Sequence, residues 1–470
     1  MKSLKIAFTA LAVFFVSSGA SAISIDWSGG YRVEFTNVNN PTLDSNHPDP
    51  KSYGLQFLYL NPKIIASDGV NIVARIDLMG SQVPGYENTQ MGGLVGGSGI
   101  GSDPRINSQN QQTSNVTVSQ LYLNYNTEYG SLLAGRAPIE FGLGITHNAG
   151  NGAFDHWYDT RDSVGYRFFV DNISFMPMVS RVSQKNFGRG TTANDETFVF
   201  EYKNKDNGAE VGVMQQLRKS TYESNDALAG ANPLPIPSAA ALGSAWSTKT
   251  VNIYLGRTWD FFKFKLEASF LTGDTGLTYS GNNITINSFA VAADLLWPAK
   301  ESEKWEYSAK LGIASGDNPT TPTVYEGYQF DRNYDVAMLM FNHRMGQADL
   351  FTTGILHNNS TLTVGNSADD EAIGNATYVA PSAKYQWNDR MDVKGTLIFA
   401  QLVTNPTLSL DTSKDLGTEL DIELIYRPRE RIIWSNSLGI LFPGQAWKDG
   451  SSGFENKSNY GFTTKAAITF

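Results

Sequence analysis

Residues 460–470, read as YGFTTKAAITF, set the fold prediction for the whole chain. Successive side chains of a strand point to opposite faces, so every second residue from Tyr460 to Phe470 shares one face, and that face is mostly apolar. The other face carries Lys465 together with glycine, threonine and alanine. The segment is therefore predicted to be an amphipathic strand that ends on an aromatic residue.

The beginning of the sequence carries an export signal. Lys2 and Lys5 precede an apolar run over 6–16, and Ala20-Ser21-Ala22 follows as a small-residue cleavage site. The pattern predicts a cleaved signal peptide over 1–22 and a single mature domain over 23–470. A chain of this kind passes through an oxidising compartment, where free thiols would pair.

Composition excludes several classes of protein. The sequence contains no cysteine, which removes disulfide scaffolds, thiolate zinc sites and cysteine nucleophiles. The net charge of −10 argues against nucleic acid as a partner. The mature chain has no run of about 20 apolar residues that would form a membrane helix. Aromatic residues reach 12% while charged residues are only 17%, which favours a surface facing lipid.

The alternation of the last strand recurs along the chain. Between 262 and 271, Leu266 belongs to an apolar face, whereas Lys265 and Glu267 belong to a polar face. In water each apolar face would need a packed core, but in a barrel it meets lipid while the charges meet water inside. The sequence therefore predicts an all-β protein, a transmembrane antiparallel up-and-down β-barrel.

Short turns and long polar stretches alternate between these strands and give the strand count. The short turns are predicted at 67–69, 127–130, 171–172, 205–208, 260–261, 298–304, 388–390 and 428–431. The long stretches cover 37–51, 81–114, 138–162, 182–195, 218–249, 272–282, 314–375, 401–416 and 443–458. The rhythm predicts about 18 strands, with long extracellular loops and short periplasmic turns.

The predicted inner face carries charges of both signs, which a packed interior could not hold without complete pairing. A water-filled lumen can hold them, so these residues are predicted to line a pore. They are Arg32, Arg75, Arg136, Arg167, Lys263, Lys265, Glu267, Asp294, Glu306, Lys310, Lys384, Lys394, Glu419, Asp421 and Glu423.

A barrel of this width needs a constriction, and the loops 138–162 and 314–375 are predicted to fold inward and supply it. The second loop contains an apolar run over 336–341, which indicates ordered packing inside the barrel. The constriction candidates are Glu140, Asp159, Arg161, Asp162, Asp331, Arg332 and Asp335. The alternative is that these are surface charges that bind divalent ions or lipopolysaccharide.

The sequence predicts no enzyme, no metal site and no cofactor. Its 5 histidines lack metal-ligand spacing, apart from a loose pair at His343 and His357. Asp155 and His156 are adjacent, but neighbouring side chains of a strand point apart and cannot form a catalytic pair.

Three stretches resemble known barrels. They are 121–125 with 134–138 and 141–144, then 330–334, and 416–421 with 441–444. They are similar to outer-membrane porins of deltaproteobacterial type and, more distantly, to the alginate-export barrel family. The resemblance implies a location in the bacterial outer membrane, contact with its lipid and lipopolysaccharide, recognition of Phe470 by the barrel-assembly machinery, and Arg136 at the pore wall.

For such a barrel we expect passive diffusion of small hydrophilic solutes and ions. Three alternatives stay open at this point: a substrate-selective channel or exporter, a structural or receptor barrel with an occluded lumen, and an enzyme barrel.

Overall fold

The computed structural model describes residues 24–44, 50–78, 80–81, 90–95, 116–186, 189–220, 241–242, 247–300, 303–346, 350–351, 371–405, 413–448 and 457–470. The predicted signal peptide, 1–22, lies outside these residues. Within the described part of the chain, no helix is both long enough and apolar enough to cross a membrane.

Eighteen antiparallel strands, numbered β1 to β18 here, form one sheet in chain order. The first nine are β1 Ser24–Val38, β2 Lys51–Ser67, β3 Val70–Leu78, β4 Val116–Thr127, β5 Gly130–Pro138, β6 Thr160–Val170, β7 Ile173–Asn186, β8 Arg189–Asn204 and β9 Ala209–Ser220. The last nine are β10 Ser247–Trp259, β11 Phe262–Tyr279, β12 Asn282–Trp297, β13 Trp305–Ala314, β14 Ala376–Asn388, β15 Met391–Leu402, β16 Asp415–Tyr426, β17 Ile432–Pro443 and β18 Asn459–Thr469.

Four shorter strands add to the sheet near the long loops, at Gly80–Ser81, Gln90–Val95, Ala241–Leu242 and Val324–Tyr325. A single turn of 3-10 helix, Gln445–Lys448, follows β17.

The sheet closes on itself through its first and last strands. β1 pairs with β18 from Gly30 opposite Thr469 to Val38 opposite Gly461. Phe470 extends the seam, because its backbone N–H and C=O exchange hydrogen bonds of 3.0 and 2.9 Å with Gly29. No barrel edge is left open along this seam, and the predicted closed 18-stranded antiparallel barrel is confirmed.

The two faces of the wall differ as the alternation predicts. Outward side chains are large, apolar and exposed; examples are Phe270 at 45%, Phe462 at 46% and Val179 at 60% exposure. Inward neighbours such as Ser269 and Glu267 are fully buried. Among the described residues, the only extensive core lies inside the barrel, where loop side chains pack against the inner face.

The eight short turns lie where the sequence predicts them, and they define the short-turn end of the barrel. Two of the predicted long loops are wrong. β7 continues to Asn186 and β8 begins at Arg189, so most of 182–195 is strand. The stretch 272–282 is also mostly strand, because β11 and β12 are joined only by Ser280 and Gly281. Their φ angles of +50° and +80° suit a tight hairpin turn.

Candidate functional site: a lumen divided by two inward loops

The first loop, residues 139–159, leaves the wall between β5 and β6 and contacts β11 across the lumen. Glu267 of β11 accepts hydrogen bonds from the backbone N–H of Leu143 at 2.6 Å and of Ile145 at 3.4 Å. Gly142 has a φ of +60°, and a Cβ there would lie 2.6 Å from Glu267 Oε2. A glycine at this position is therefore required for the loop to seat on the carboxylate.

The far end of the first loop is held by the opposite wall. His156 Nε2 lies 2.9 and 3.0 Å from the two carboxylate oxygens of Glu34 on β1. Tyr158 donates its hydroxyl to Asp77 of β3 at 3.0 Å, and Arg75 also pairs with Asp77 at 2.8 Å. The first loop consequently runs between β11 on one side and β1 to β3 on the other.

Charged groups lie at the base of the first loop. His147 Nδ1 is 3.3 Å from Asp159 Oδ2, and Arg161 Nη1 is 3.6 Å from Asp159 Oδ1. Burial favours the neutral form of Asp159, but the hydrogen bond to His147 and the charge of Arg161 outweigh it and hold the pKa of this carboxyl below its usual range. Asp159 is therefore a structural carboxylate at the loop base.

The second loop comprises the described residues 315–346, 350–351 and 371–375 between β13 and β14. Its apolar side chains, including Leu339, Met340 and Phe341, are almost fully buried. They pack on an inner face of small residues such as Ala292 and Ala380. Each large apolar side chain buried in this way contributes roughly 1.5–3 kcal/mol. Packing thus fixes the second loop against the wall.

Carboxylates of β16 fasten the backbone of the second loop. Glu419 accepts hydrogen bonds from the backbone N–H of Leu339 at 2.6 Å and Met340 at 2.8 Å. Asp421 accepts one from the N–H of Met338 at 2.9 Å. Each inward loop therefore rests on a buried glutamate of the wall, Glu267 in one case and Glu419 in the other.

The two loops also contact each other. Asn333 of the second loop accepts a hydrogen bond from Trp157 N–H at 3.0 Å and donates one to Trp157 C=O at 2.5 Å. The Arg332 guanidinium stacks 4.3 Å from the centre of the Trp157 ring. Asp331 N–H donates to Ile145 C=O at 2.8 Å. Together the loops form a bridge across the lumen, joined at Asn333 and Trp157.

Asp331 lies within this bridge and faces other acidic groups. Burial, together with the charge of Asp159, raises the pKa of Asp331 well above its usual value, with a smaller contribution from Asp155. The N–H of Asn333 and the charge of Arg332 act in the opposite direction. The net effect favours the protonated form of Asp331 at pH values above the ordinary pKa of an aspartate.

A cavity of about 270 Å³ remains between the second loop and strands β13 to β18. Phe154 of the first loop also lines it. Its charged groups have both signs: Lys310, Lys394 and Lys465, with Asp335, Asp421 and Glu423. Its other polar groups are mainly hydroxyls: Ser308, Ser382, Thr396, Ser435, Ser437 and Thr463. Such a lining can replace the hydration shell of a small polar solute.

The residues predicted to line the pore lie on the inner face, with the exception of Arg136. This residue is opposite the outward-facing Leu121 of β4, and it pairs with Asp162 of β6 on the same outer face. The prediction for Arg136 and Asp162 is therefore wrong. β5 stays paired in register with β4 and β6 through Arg136, so this residue keeps the outward direction of Ala134 instead of turning into a loop.

Outside the cavity, these inner-face residues have different surroundings. Glu267 and Glu419 are fully covered by the loops and face no open water, which corrects their assignment to an aqueous lining. Others form wall pairs: Arg167 with Glu201 and Lys384 with Glu306. Lys263 and Lys265 are exposed near the short-turn end.

The remaining constriction candidates are spread over the bridge. Glu140 is exposed and accepts a hydrogen bond from Asn151, while Arg161 is buried beside Asp195. Asp331 and Arg332 lie at the loop contact, and Asp335 lines the cavity. No local pattern predicted the contact between Trp157 and Asn333, because it joins positions 176 apart.

No protein-family model matches the chain, and no curated protein matches its sequence. Solved structures do match. OccAB3 of Acinetobacter baumannii has a TM-score of 0.52 and 8% identity, covering 95% of this chain and 99% of that one. A BenF-like porin from Pseudomonas fluorescens Pf-5 has a TM-score of 0.50 and 9% identity, covering 95% and 98%.

OpdK of Pseudomonas aeruginosa, in a crystal structure with vanillate, has a TM-score of 0.50 and 10% identity and covers 95% of this chain and 98% of that chain. The chain has the fold of an outer-membrane porin. At these identities the likeness concerns the fold alone. The chemistry of the lumen depends on the residues of this chain.

Proposed function

We propose that the chain is an outer-membrane porin, through which small hydrophilic solutes and ions diffuse passively. The observation that carries this proposal is the cavity of about 270 Å³, which lies inside the barrel and is lined by hydroxyls and by charges of both signs. A packed structural core would not hold the partly exposed lysines and carboxylates that line this cavity. Small polar solutes would exchange their water for these groups as they pass.

Location and partners follow from the same proposal. The apolar outer face suits membrane lipid, and the predicted signal peptide over 1–22 would direct export. We propose that Phe470 and the C-terminal strand are recognised by the barrel-assembly machinery, and that lipopolysaccharide surrounds the long-loop end. The relationships to deltaproteobacterial porins and to alginate exporters stay predictions, as does the absence of enzymatic activity.

A substrate-selective channel is the second candidate, and the bridge between the loops favours it. Loops fixed by Glu267, Glu419 and Asn333 would give a passage of constant shape, which a solute of matching size and charge would occupy. The vanillate in the OpdK structure is a small organic ligand of that kind. Saturable block of the current by one solute would distinguish this candidate from a general diffusion pore.

The direct test is conductance. Folded, purified protein added to a planar bilayer should give stable steps of ionic current, and liposomes that contain it should swell in small sugars but not in large ones. The same protein unfolded by heat is the control. Repeated absence of steps with correctly folded protein would refute the porin proposal and support an occluded receptor or structural barrel.

A further inference from the structure

One row of cross-strand neighbours on the outer wall contains four charged side chains. Arg136, Asp162, Arg181, Asn194 and Lys219 come from the consecutive strands β5 to β9, and each is paired with the next. Neighbouring strands lie about 4.8 Å apart, so the row extends over about 20 Å of the surface. This row is independent of the lumen and of the two loops.

The row faces outward. Val164 is two residues from Asp162 and is 54% exposed, and Val179 is two residues from Arg181 and is 60% exposed. Arg136 and Asp162 are themselves 42% and 50% exposed at their side chains. Because residues two apart in a strand share a face, the charges lie on the same surface as these valines.

The apolar band of the barrel is narrow beneath this row. On the outer face of β5, only Leu132 and Ala134 lie between Gly130, where the strand begins, and Arg136. On the adjacent β4, the outer face stays apolar beyond Leu121 to Val118 and Val116. The row therefore meets the border of the lipid-facing zone, where a charge is unfavourable unless a polar partner is present.

Among the side chains of this surface that the structure describes, cations outnumber anions. Arg136 and Asp162 neutralise each other through bonds of 2.6 and 2.8 Å. Among its contacts, Arg181 donates a hydrogen bond to the side-chain oxygen of Asn194 at 3.0 Å. Lys219 continues the row, and Lys249 of β10 lies beside it on the same face, opposite Leu217. Glu196 is an anion on that face. The excess among these described side chains is positive, in a chain whose net charge is −10.

We propose that Arg181, Lys219 and Lys249, named here the outer cationic patch, bind the phosphorylated headgroup of an outer-leaflet lipid. An arginine fork and two lysine point charges at the lipid border suit phosphate oxygens, while the valines beneath them suit acyl chains. A second copy of the chain fits less well, because an isologous contact would place cations against cations.

The proposal rests on the membrane location given under the proposed function and not on solute passage. The test uses the folded full chain in detergent, with native mass spectrometry and diphosphorylated lipid A as the probe. Dephosphorylated lipid A and inorganic phosphate are the comparison ligands. The test variant is Lys219→Gln with Lys249→Gln. The matched control, Lys263→Gln with Lys265→Gln, removes the same charge from the inner face of the neighbouring strand β11.

We expect the outer double variant to weaken binding of the diphosphorylated lipid at least tenfold, since each lysine near a lipid surface contributes to anionic lipid binding. The inner control should bind as the unchanged protein does. Three results would overturn the proposal: equal binding of the dephosphorylated lipid, equal loss in the inner control, or displacement of the lipid by millimolar inorganic phosphate. Lipid-independent dimers that the outer variant dissociates would also overturn it, in favour of a protein interface. Conductance is measured in parallel, so that a failed porin proposal is recognised separately.

Discussion

The carboxylate of Glu419 accepts a hydrogen bond from the backbone N–H of Leu339 at 2.6 Å, and both residues are fully buried. A wall residue on β16 thereby holds the backbone of the second loop inside the barrel. Glu267 holds the first loop in the same way through Leu143. The shape of the lumen depends on these two contacts as much as on the barrel itself.

Glu419→Gln should loosen the second loop. The carboxylate now accepts from the backbone N–H groups of Leu339 and Met340, and the glutamine amide would turn its NH2 group toward one of them. That backbone N–H would lose its acceptor, and a buried donor without an acceptor costs about 1–3 kcal/mol. We expect frequent current fluctuations and a larger mean conductance in single-channel recordings. The control is Glu423→Gln on the same strand and face, because Glu423 accepts from Ser435 and not from the loop. Equal noise in the two variants would contradict the anchoring role.

Adjacent residues of β11 test the facing of the wall. Leu266→Arg places a cation on the lipid face, at a cost of about 2–4 kcal/mol near mid-membrane. Refolding into lipid vesicles with urea titration should detect this loss. Lys265→Leu removes a cation from the inner face, so folding should persist while the reversal potential moves toward cation selectivity. Equal destabilisation by both changes would mean that the two faces are assigned incorrectly.

Asp331 should make the bridge sensitive to pH. Its pKa is raised by burial and by Asp159, so the docked loop binds a proton more tightly than the undocked loop does. Docking therefore strengthens as the pH falls from neutral through this raised pKa, and the gain is complete once the pH approaches the ordinary aspartate value near 3.8. Below that point protonation of Asp159, whose pKa is lowered, opposes docking.

The measurement is limited proteolysis of the second loop in detergent between pH 7 and pH 5, with protease activity calibrated on an unfolded substrate. Cleavage should slow at the lower pH in the unchanged chain, and Asp331→Asn should weaken this dependence. An undiminished slowing in Asp331→Asn would assign the effect to another group.

Phe470 should matter for assembly in cells more than for the finished barrel. Phe470→Ala is expected to reduce the amount of folded protein in outer-membrane fractions severalfold, measured as the heat-sensitive band on gels. Phe462→Ala is the matched control, since its ring has a similar exposure of 46% against 48% for Phe470. Equal yields of the two variants would argue against recognition of the terminal residue.

Much of the barrel was predictable because strand alternation and turn chemistry are local properties. Leu266 faces outward and Lys265 inward because side chains alternate with a period of two residues. Turns such as 260–261 are specified by only a few residues. The same locality explains the errors. Polar residues in 272–282 indicated a loop, yet above the lipid zone both faces of a strand meet water and polarity no longer separates strand from loop.

The sequence by itself determined the barrel, its strand number and the inner or outer side of most charges, since each of these depends on neighbours along the chain. Only the tertiary structure decided which inner charges meet water and which hold loops. Glu419 and Leu339 are 80 positions apart, and Trp157 and Asn333 are 176 apart, so no local pattern encodes their contacts. Once the sheet closes and the loops fold in, burial converts some predicted pore residues into structural anchors, while the continued pairing of β5 with β4 and β6 leaves Arg136 on the outside.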